Sequence, residues 1–103
     1  MILRTSGPSP FGRKVVMAAH ILGLVDQIKI VPADTTDPSD SLRLENPLGK
    51  IPVLILEDGT TLYDSRVILD YLDHCAGGGV IIPTGESRFA VLKMMALADG
   101  VLV

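Results

Sequence analysis

Apolar and polar positions follow two rhythms along the chain, and the switches between them mark its elements. Met1 to Thr5 opens with an apolar run and predicts a first strand. Ser6-Gly7-Pro8-Ser9-Pro10 is a loop by composition. From Phe11 the period becomes helical: Val15, Val16, Ala19 and Leu22 share one face, and Gly23 suits the C-terminal end. Pro10 falls in the first turn, where a missing N–H costs nothing, and Ser9 falls at or just before the N-cap. Ile28 to Val31 predicts a second strand, and Pro32 to Asp40 a polar loop. Ser39-Asp40-Ser41 can cap a short helix through Leu44 or Glu45, which Asn46-Pro47 ends. Val53 to Leu56 reads as a buried strand, and Asp58-Gly59 as a tight hairpin turn into the strand Thr60 to Tyr63. Asp64-Ser65 caps a helix with Val67, Ile68, Tyr71 and Leu72 on its apolar side. Ala76 to Gly85 is glycine-rich, broken by Val80-Ile81-Ile82. A last helix starts at Thr84 to Glu86 and carries Phe89, Leu92, Met95 and Ala96 on its apolar side.

That order predicts an α/β domain: a four-stranded mixed sheet with helices packed on it, the hairpin antiparallel and the first helix a right-handed crossover. The boundaries expected are a domain over 1–76, a linker over 77–85 and the start of an all-helical second domain over 86–103. The chain stops at Leu102-Val103 in mid-pattern, so a longer natural protein is expected.

Composition narrows the partners. Apolar residues make up 48% of 103 residues, which allows a real core, and aromatics only 4%, which makes that core aliphatic. A net charge of −3 argues against nucleic acid as a partner. Cys75 is the single cysteine, so no intrachain disulfide can form, in keeping with a reducing cytoplasm. Met1-Ile2-Leu3 is followed at once by Arg4, unlike a secretory leader, and no run approaches the roughly 18 apolar residues needed to span a bilayer. A soluble, cytoplasmic protein without membrane attachment is expected.

Candidate chemistry gathers at three places. Pro52 stands at the first position of a strand, where the lost N–H removes no ladder bond, and Ile51-Pro52 reads as a cis turn whose backbone pairs with a peptide-like ligand. Ser9 is either an N-cap alone or also the donor to a thiolate held at the positive end of the first helix. Asp64-Ser65 is either a cap alone or a pair that meets both ends of an α-amino acid, Ser65 taking its carboxylate and Asp64 its ammonium. Lys50 is either an exposed loop lysine or the contact for a further carboxylate. Arg13, ill-placed for the helix dipole, is a candidate to pair with an acid or a solvated charge. His20, His74 and Cys75 lack metal-ligand spacing, and no metal is expected. No phosphate loop, dinucleotide fingerprint or Ser/His/Asp set is present.

Three stretches in this order and spacing, Ser9-Pro10-Phe11-Gly12-Arg13-Lys14-Val15, Asn46 to Leu54 (NPLGKIPVL) and Leu62 to Leu72 (LYDSRVILDYL), resemble the N-terminal, thioredoxin-like domain of glutathione S-transferases, most of all the serine-type bacterial members. The resemblance covers about residues 1–80. Ile82-Pro83 and the helix from Glu86 resemble the start of that family's helical domain. It implies a thioredoxin-like βαβ-α-ββα fold and a homodimer, with glutathione as co-substrate. Ser9 would hold the glutathione sulfur, with Ser6 as runner-up. Ile51, beside the cis Pro52, would pair its backbone with the cysteinyl part, and Asp64-Ser65 would hold the γ-glutamyl end. Lys50 would reach the glycyl carboxylate. Asp64 stands where the family has Glu or Gln, a side chain one methylene longer. The ligand would lie along the sheet as an added strand and its thiolate would attack a small electrophile, whose pocket would lie largely in the second domain. Apolar surface from Phe89 to Val103 would then be exposed and the chain would self-associate.

Two other classes compete with the transferase. One is a non-catalytic relative that uses the domain for binding or assembly; the presence of Ser9, Lys50, Pro52, Asp64 and Ser65 favours the enzyme. The other is a glutaredoxin-like redox protein, against which stands the lack of any cysteine near Ser9.

Overall fold

The first strand splits the fold into two layers, because alternate side chains of a strand point to opposite faces. A computed structural model describes residues 1–102, Leu102 by its backbone alone; Val103, the last residue of the expected final helix, lies outside them. The elements are β1 (Ile2–Thr5), α1 (Pro10–Ile21), a 3-10 turn (Val25–Gln27), β2 (Lys29–Pro32), α2 (Leu42–Glu45), β3 (Val53–Ile55), β4 (Thr61–Tyr63), α3 (Ser65–Cys75) and α4 (Ser87–Leu102). The sheet order is β2-β1-β3-β4, with β1 parallel to β2 and antiparallel to β3, and β3 antiparallel to β4. This is the mixed four-stranded α/β sheet expected from the sequence.

Leu3 of β1 faces the first layer. Opposite Leu54, it packs with Val15 and Ala19 of α1, Leu24, and Ile68 and Leu72 of α3 as the main core. Thr5 points the same way and meets α1 at Gly12, where a Cβ would overlap the Thr5 side chain. Glycine is therefore required there by close approach. Arg4 alternates to the other face, which α2 covers with a smaller cluster of Ala33, Leu42 and Val53.

Arg4 is only 7% exposed, yet its guanidinium is fully engaged. It donates to the backbone of Val31 (3.2 Å) and Pro32 (2.9 Å), to Ser41 (2.9 Å), to Glu45 (2.8 Å) and to Asp40 (3.0 Å). N–H donors of Asp34 and Leu42, with Arg4 beside them, hold the Asp40 carboxyl below the usual carboxylate range. One buried cation thus ties β1, β2 and α2 together, and with them the segment that runs on to Pro52.

Two helix faces differ from expectation. Val67 is exposed, and α3 turns Ser65, Ile68, Leu69, Leu72 and Asp73 inward instead. On α4, Phe89 and Ala96 face out, while Val91, Leu92, Met95 and Asp99 are partly covered. The α4 sequence is apolar on nearly every side, so its period does not choose a face. Ion pairs do: Arg88 with Asp70 at 2.7 Å and Asp99 with Lys14 of α1.

The glycine-rich stretch after α3 is not a slack connector. Asp73, 2% exposed, accepts from the N–H groups of Val80 (3.0 Å), Ile81 (3.2 Å) and Ile82 (2.8 Å), and Ile82 is buried. Burial pushes the Asp73 carboxyl up, but the three N–H donors outweigh it and its pKa lies below the ordinary value. Replacing Asp73 by Ala is expected to cost about 3 kcal/mol, since it strands buried donors that had a charged acceptor. The folded pKa is depressed, so this stability is present above the unfolded value near 4 and is lost as pH falls through the lower folded value. Urea unfolding of wild type and Asp73→Asn between about pH 2 and 7 checks this: the difference between them should shrink below about pH 4.

Candidate functional site

Two helix starts and one loop converge on a groove of about 640 Å³, lined by Ser9, Phe11, Thr35, Asn46, Leu48 to Pro52, Tyr63 to Arg66, and Asp99. All six residues singled out from the sequence, Ser9, Lys50, Ile51, Pro52, Asp64 and Ser65, line it. They come from positions up to 56 residues apart in the chain, brought together by the sheet order.

Ser9 is the N-cap of α1. Its Oγ accepts from the Gly12 N–H at 3.2 Å, which uses the oxygen and leaves the hydroxyl proton free to donate. Among the described residues the Phe11 N–H, also in the first turn, makes no hydrogen bond. Ser6 is elsewhere: it borders a second, smaller groove of about 360 Å³ with Thr5, Gly7, Gly12, Arg13, Val16, Met17, Ile30 and Pro32. The two serines of the loop are thus separated by its turn, closed by Ser9 N–H to Ser6 C=O at 3.1 Å. Arg13 does not meet an acid among the described residues; its Nε donates to the Gly7 carbonyl at 3.0 Å and braces this turn.

The opposite wall is the 46–52 loop. The Ile51-Pro52 peptide bond is cis, and Val53 directly after it enters the sheet opposite Arg4 and Tyr63. Among the described residues neither the N–H nor the C=O of Ile51 makes a hydrogen bond, although both flank the groove. Lys50 is exposed on the rim, and Gly49 turns the loop with φ +64°, in the left-handed region that favours glycine.

The floor is the start of α3. Asp64 adopts φ 71° and ψ 122°, a backbone few non-glycine residues take and one that clusters at functional sites. Its carboxylate caps the helix, accepting from Arg66 N–H at 3.0 Å and from the Arg66 guanidinium at 3.2 and 2.9 Å. Those bonds, the guanidinium first, hold its pKa below the ordinary value. A carboxylate offers about four acceptor positions, so one remains open. Ser65 is 4% exposed and lines the groove. Its hydroxyl and its N–H make no hydrogen bond among the described residues, so two donors are free at this helix N-terminus in the groove.

Three groups escaped the sequence reading. Arg66 follows the capping pair directly, and its 3.4 Å contact to Asp99 extends the charge chain Asp64–Arg66–Asp99–Lys14, closed at 2.6 Å. The signal for Asp99 was its being the lone acid of α4, a helix whose other charged residues are Arg88 and Lys93. Asn46 is buried under the loop, where the sequence marked it only as a helix stop. Among the described residues no group of three or more His, Cys, Asp or Glu is placed to hold a metal ion, and no helix is long and apolar enough to cross a membrane.

Comparison with known proteins agrees with this geometry. The family model of the glutathione S-transferase N-terminal domain matches residues 8–75. An uncharacterized GST-like protein of Escherichia coli, YibF, is 38% identical over 99% of this chain and 50% of its own length. A probable glutathione S-transferase of Solanum tuberosum is 37% identical over 85% of this chain and 40% of its own. A glutathione S-transferase of Methylobacillus flagellatus, solved with glutathione bound, superimposes with a TM-score of 0.88 at 44% identity, over 97% of this chain and 49% of that one. A glutathione transferase family member of Pseudomonas fluorescens, also with bound glutathione, gives 0.87 at 41%, over 97% and 50%. The chain therefore spans about half the length of these relatives. Its sheet order, its match over residues 8–75 and these likenesses place it together: the chain belongs to the glutathione S-transferase family, as its N-terminal, thioredoxin-like domain with the helix that follows.

Proposed function

We propose that this groove binds glutathione and activates its thiol for attack on an electrophilic carbon, the reaction of a glutathione S-transferase. The observation that carries the proposal is the convergence of Ser9, Lys50, Ile51, Pro52, Asp64 and Ser65 on one cavity. Each free group there has a counterpart on the tripeptide. The two free donors of Ser65 at the start of α3 suit the γ-glutamyl carboxylate, and the open position on Asp64 suits its ammonium. The unpaired N–H and C=O of Ile51 suit the backbone of the cysteinyl unit. Lys50 on the rim suits the glycyl carboxylate. The thiol then lies at the N-terminus of α1, where the Ser9 hydroxyl and the helix dipole favour the thiolate.

In the step itself the sulfur lone pair forms a bond to carbon while the leaving group departs with its bonding pair; with an aryl halide that group is halide. The thiol proton goes to solvent. The whole protein is read as a cytoplasmic homodimer, with a thioredoxin-like domain over 1–76, a linker over 77–85 and a helical domain from 86 that supplies most of the electrophile's pocket. Exposed Phe89, Met94, Leu97 and Val101 on α4 support self-association of this chain.

Glutathione titration by calorimetry, on this chain and on the protein with a complete second domain, tests the proposal. Binding tighter than about 1 mM is expected, equivalent to about −4 kcal/mol; absence of binding by both would refute it. With the longer protein, Ser9→Ala is expected to slow turnover of an aryl halide about tenfold or more, while glutathione affinity changes little, since one charge-assisted hydrogen bond is worth ~1.5–3 kcal/mol. Loss of the cap should also lower stability by about 1 kcal/mol. Unchanged turnover would reduce this chain to a binding module or move the sulfur to another donor.

Asp64→Asn separates charge from backbone. Asn tolerates a positive φ as Asp does and still caps the helix. Stability is expected to stay within about 0.5 kcal/mol, because the exposed pair with Arg66 is worth little. Glutathione affinity should fall about tenfold for loss of a charge-assisted contact to the ammonium. Equal affinities in the two proteins would remove Asp64 from the binding role.

A further inference from the structure

The wall that presents Ile51 rests on a single side chain. Every hydrogen bond that residues 47–51 make among the described residues ends on Asn46. Asn46 is 2% exposed. Its Oδ1 accepts from the Leu48 N–H at 3.0 Å, and its Nδ2 donates to the Lys50 carbonyl at 3.0 Å. Its own carbonyl accepts from Gly49 N–H at 2.9 Å, and its N–H donates to Leu42 in α2 at 2.7 Å. Both ends of the amide are thus spent on the backbone of its own loop. The bond to Lys50 lies one residue before Ile51, and the next fixed point is Val53 in the sheet.

We infer that Asn46 is a positioning residue of the site: through the Lys50 carbonyl it sets where the free N–H and C=O of Ile51 stand in the groove. The inference rests on the proposed binding of glutathione. Only a side chain that donates and accepts at this reach satisfies both loop contacts. Asp keeps the acceptor for Leu48 but has no donor for Lys50, and Ala has neither. With the Lys50 contact gone, residues 50–52 regain conformational freedom that binding must then remove, and preorganisation is lost.

The test pairs Asn46→Asp with two ligands in calorimetry: glutathione and its depsipeptide analogue, in which an ester oxygen replaces the cysteinyl amide N–H. In wild type the analogue is expected to bind about tenfold more weakly, for loss of the bond to the Ile51 carbonyl. In Asn46→Asp, glutathione itself should bind about tenfold more weakly, and the analogue's penalty should shrink below about threefold, because the two losses are coupled. A role confined to stability would lower Tm and leave the penalty at its wild-type size; that result overturns the inference while the proposed function stands. Failure of both this chain and the protein with a complete second domain to bind glutathione overturns the inference and the proposed function together. If Asn46→Asp does not fold, wild type still decides by NMR: glutathione should slow solvent exchange of the Asn46 side-chain amide protons, and the depsipeptide should do so less. Exchange unaffected by glutathione, or slowed equally by both ligands, overturns the inference.

Discussion

A buried guanidinium holds the layers of this domain in register. Arg4 sits in β1 on the face away from the main core, where an apolar side chain would ordinarily pack. It pairs with both Asp40 and Glu45 and donates to the carbonyls of Val31 and Pro32. Taking such charges from water is costly, and the geometry must return that cost through several well-made bonds. Here it does so with partners from β2, the loop after it and α2. The position of α2 fixes where Asn46 begins the loop, and the loop fixes Ile51. The groove therefore depends on a charge that never reaches it.

The same logic recurs at the other polar interior points. Asp73 folds residues 80–82 onto the end of α3, and Asn46 folds residues 48–50 onto the end of α2. In each case one side chain satisfies the backbone of a segment too irregular to satisfy itself, as buried backbone requires. The regular elements supply the cores around Leu3 and Leu42, and these three residues supply the shape between them.

That division explains what the sequence made legible. Strands and helices with one apolar face announced themselves through periodicity, and the motifs around Ser9, Pro52 and Ser65 announced the groove. Arg4, Asn46 and Asp73 did not, because a charged or amide residue in a short strand, at a helix stop or at a helix end reads as solvent-facing. Only the fold reveals that their surroundings are backbone. Val67 was misplaced because α3 has apolar residues on two adjacent stripes, and the core took Leu69 instead. The face of α4 was illegible for the opposite reason: without contrast around the helix, Arg88 and Asp99 orient it through partners remote in the chain.

The chain of alternating charges that ends on Asp99 has an implication for how such proteins can be recombined. The N-terminal domain model spans residues 8–75, and the groove reaches beyond it to Asp99 in α4, whose carboxylate bridges Lys14 and Arg66. The N-terminal domain so bounded is thus smaller than the unit that closes the groove. A chimera that joined these first residues to the helices of a distant relative would keep the fold and leave two cations without their shared counterion. Lys14, Arg66 and Asp99 have to travel together, and the seam between the two modules runs through the site rather than beside it.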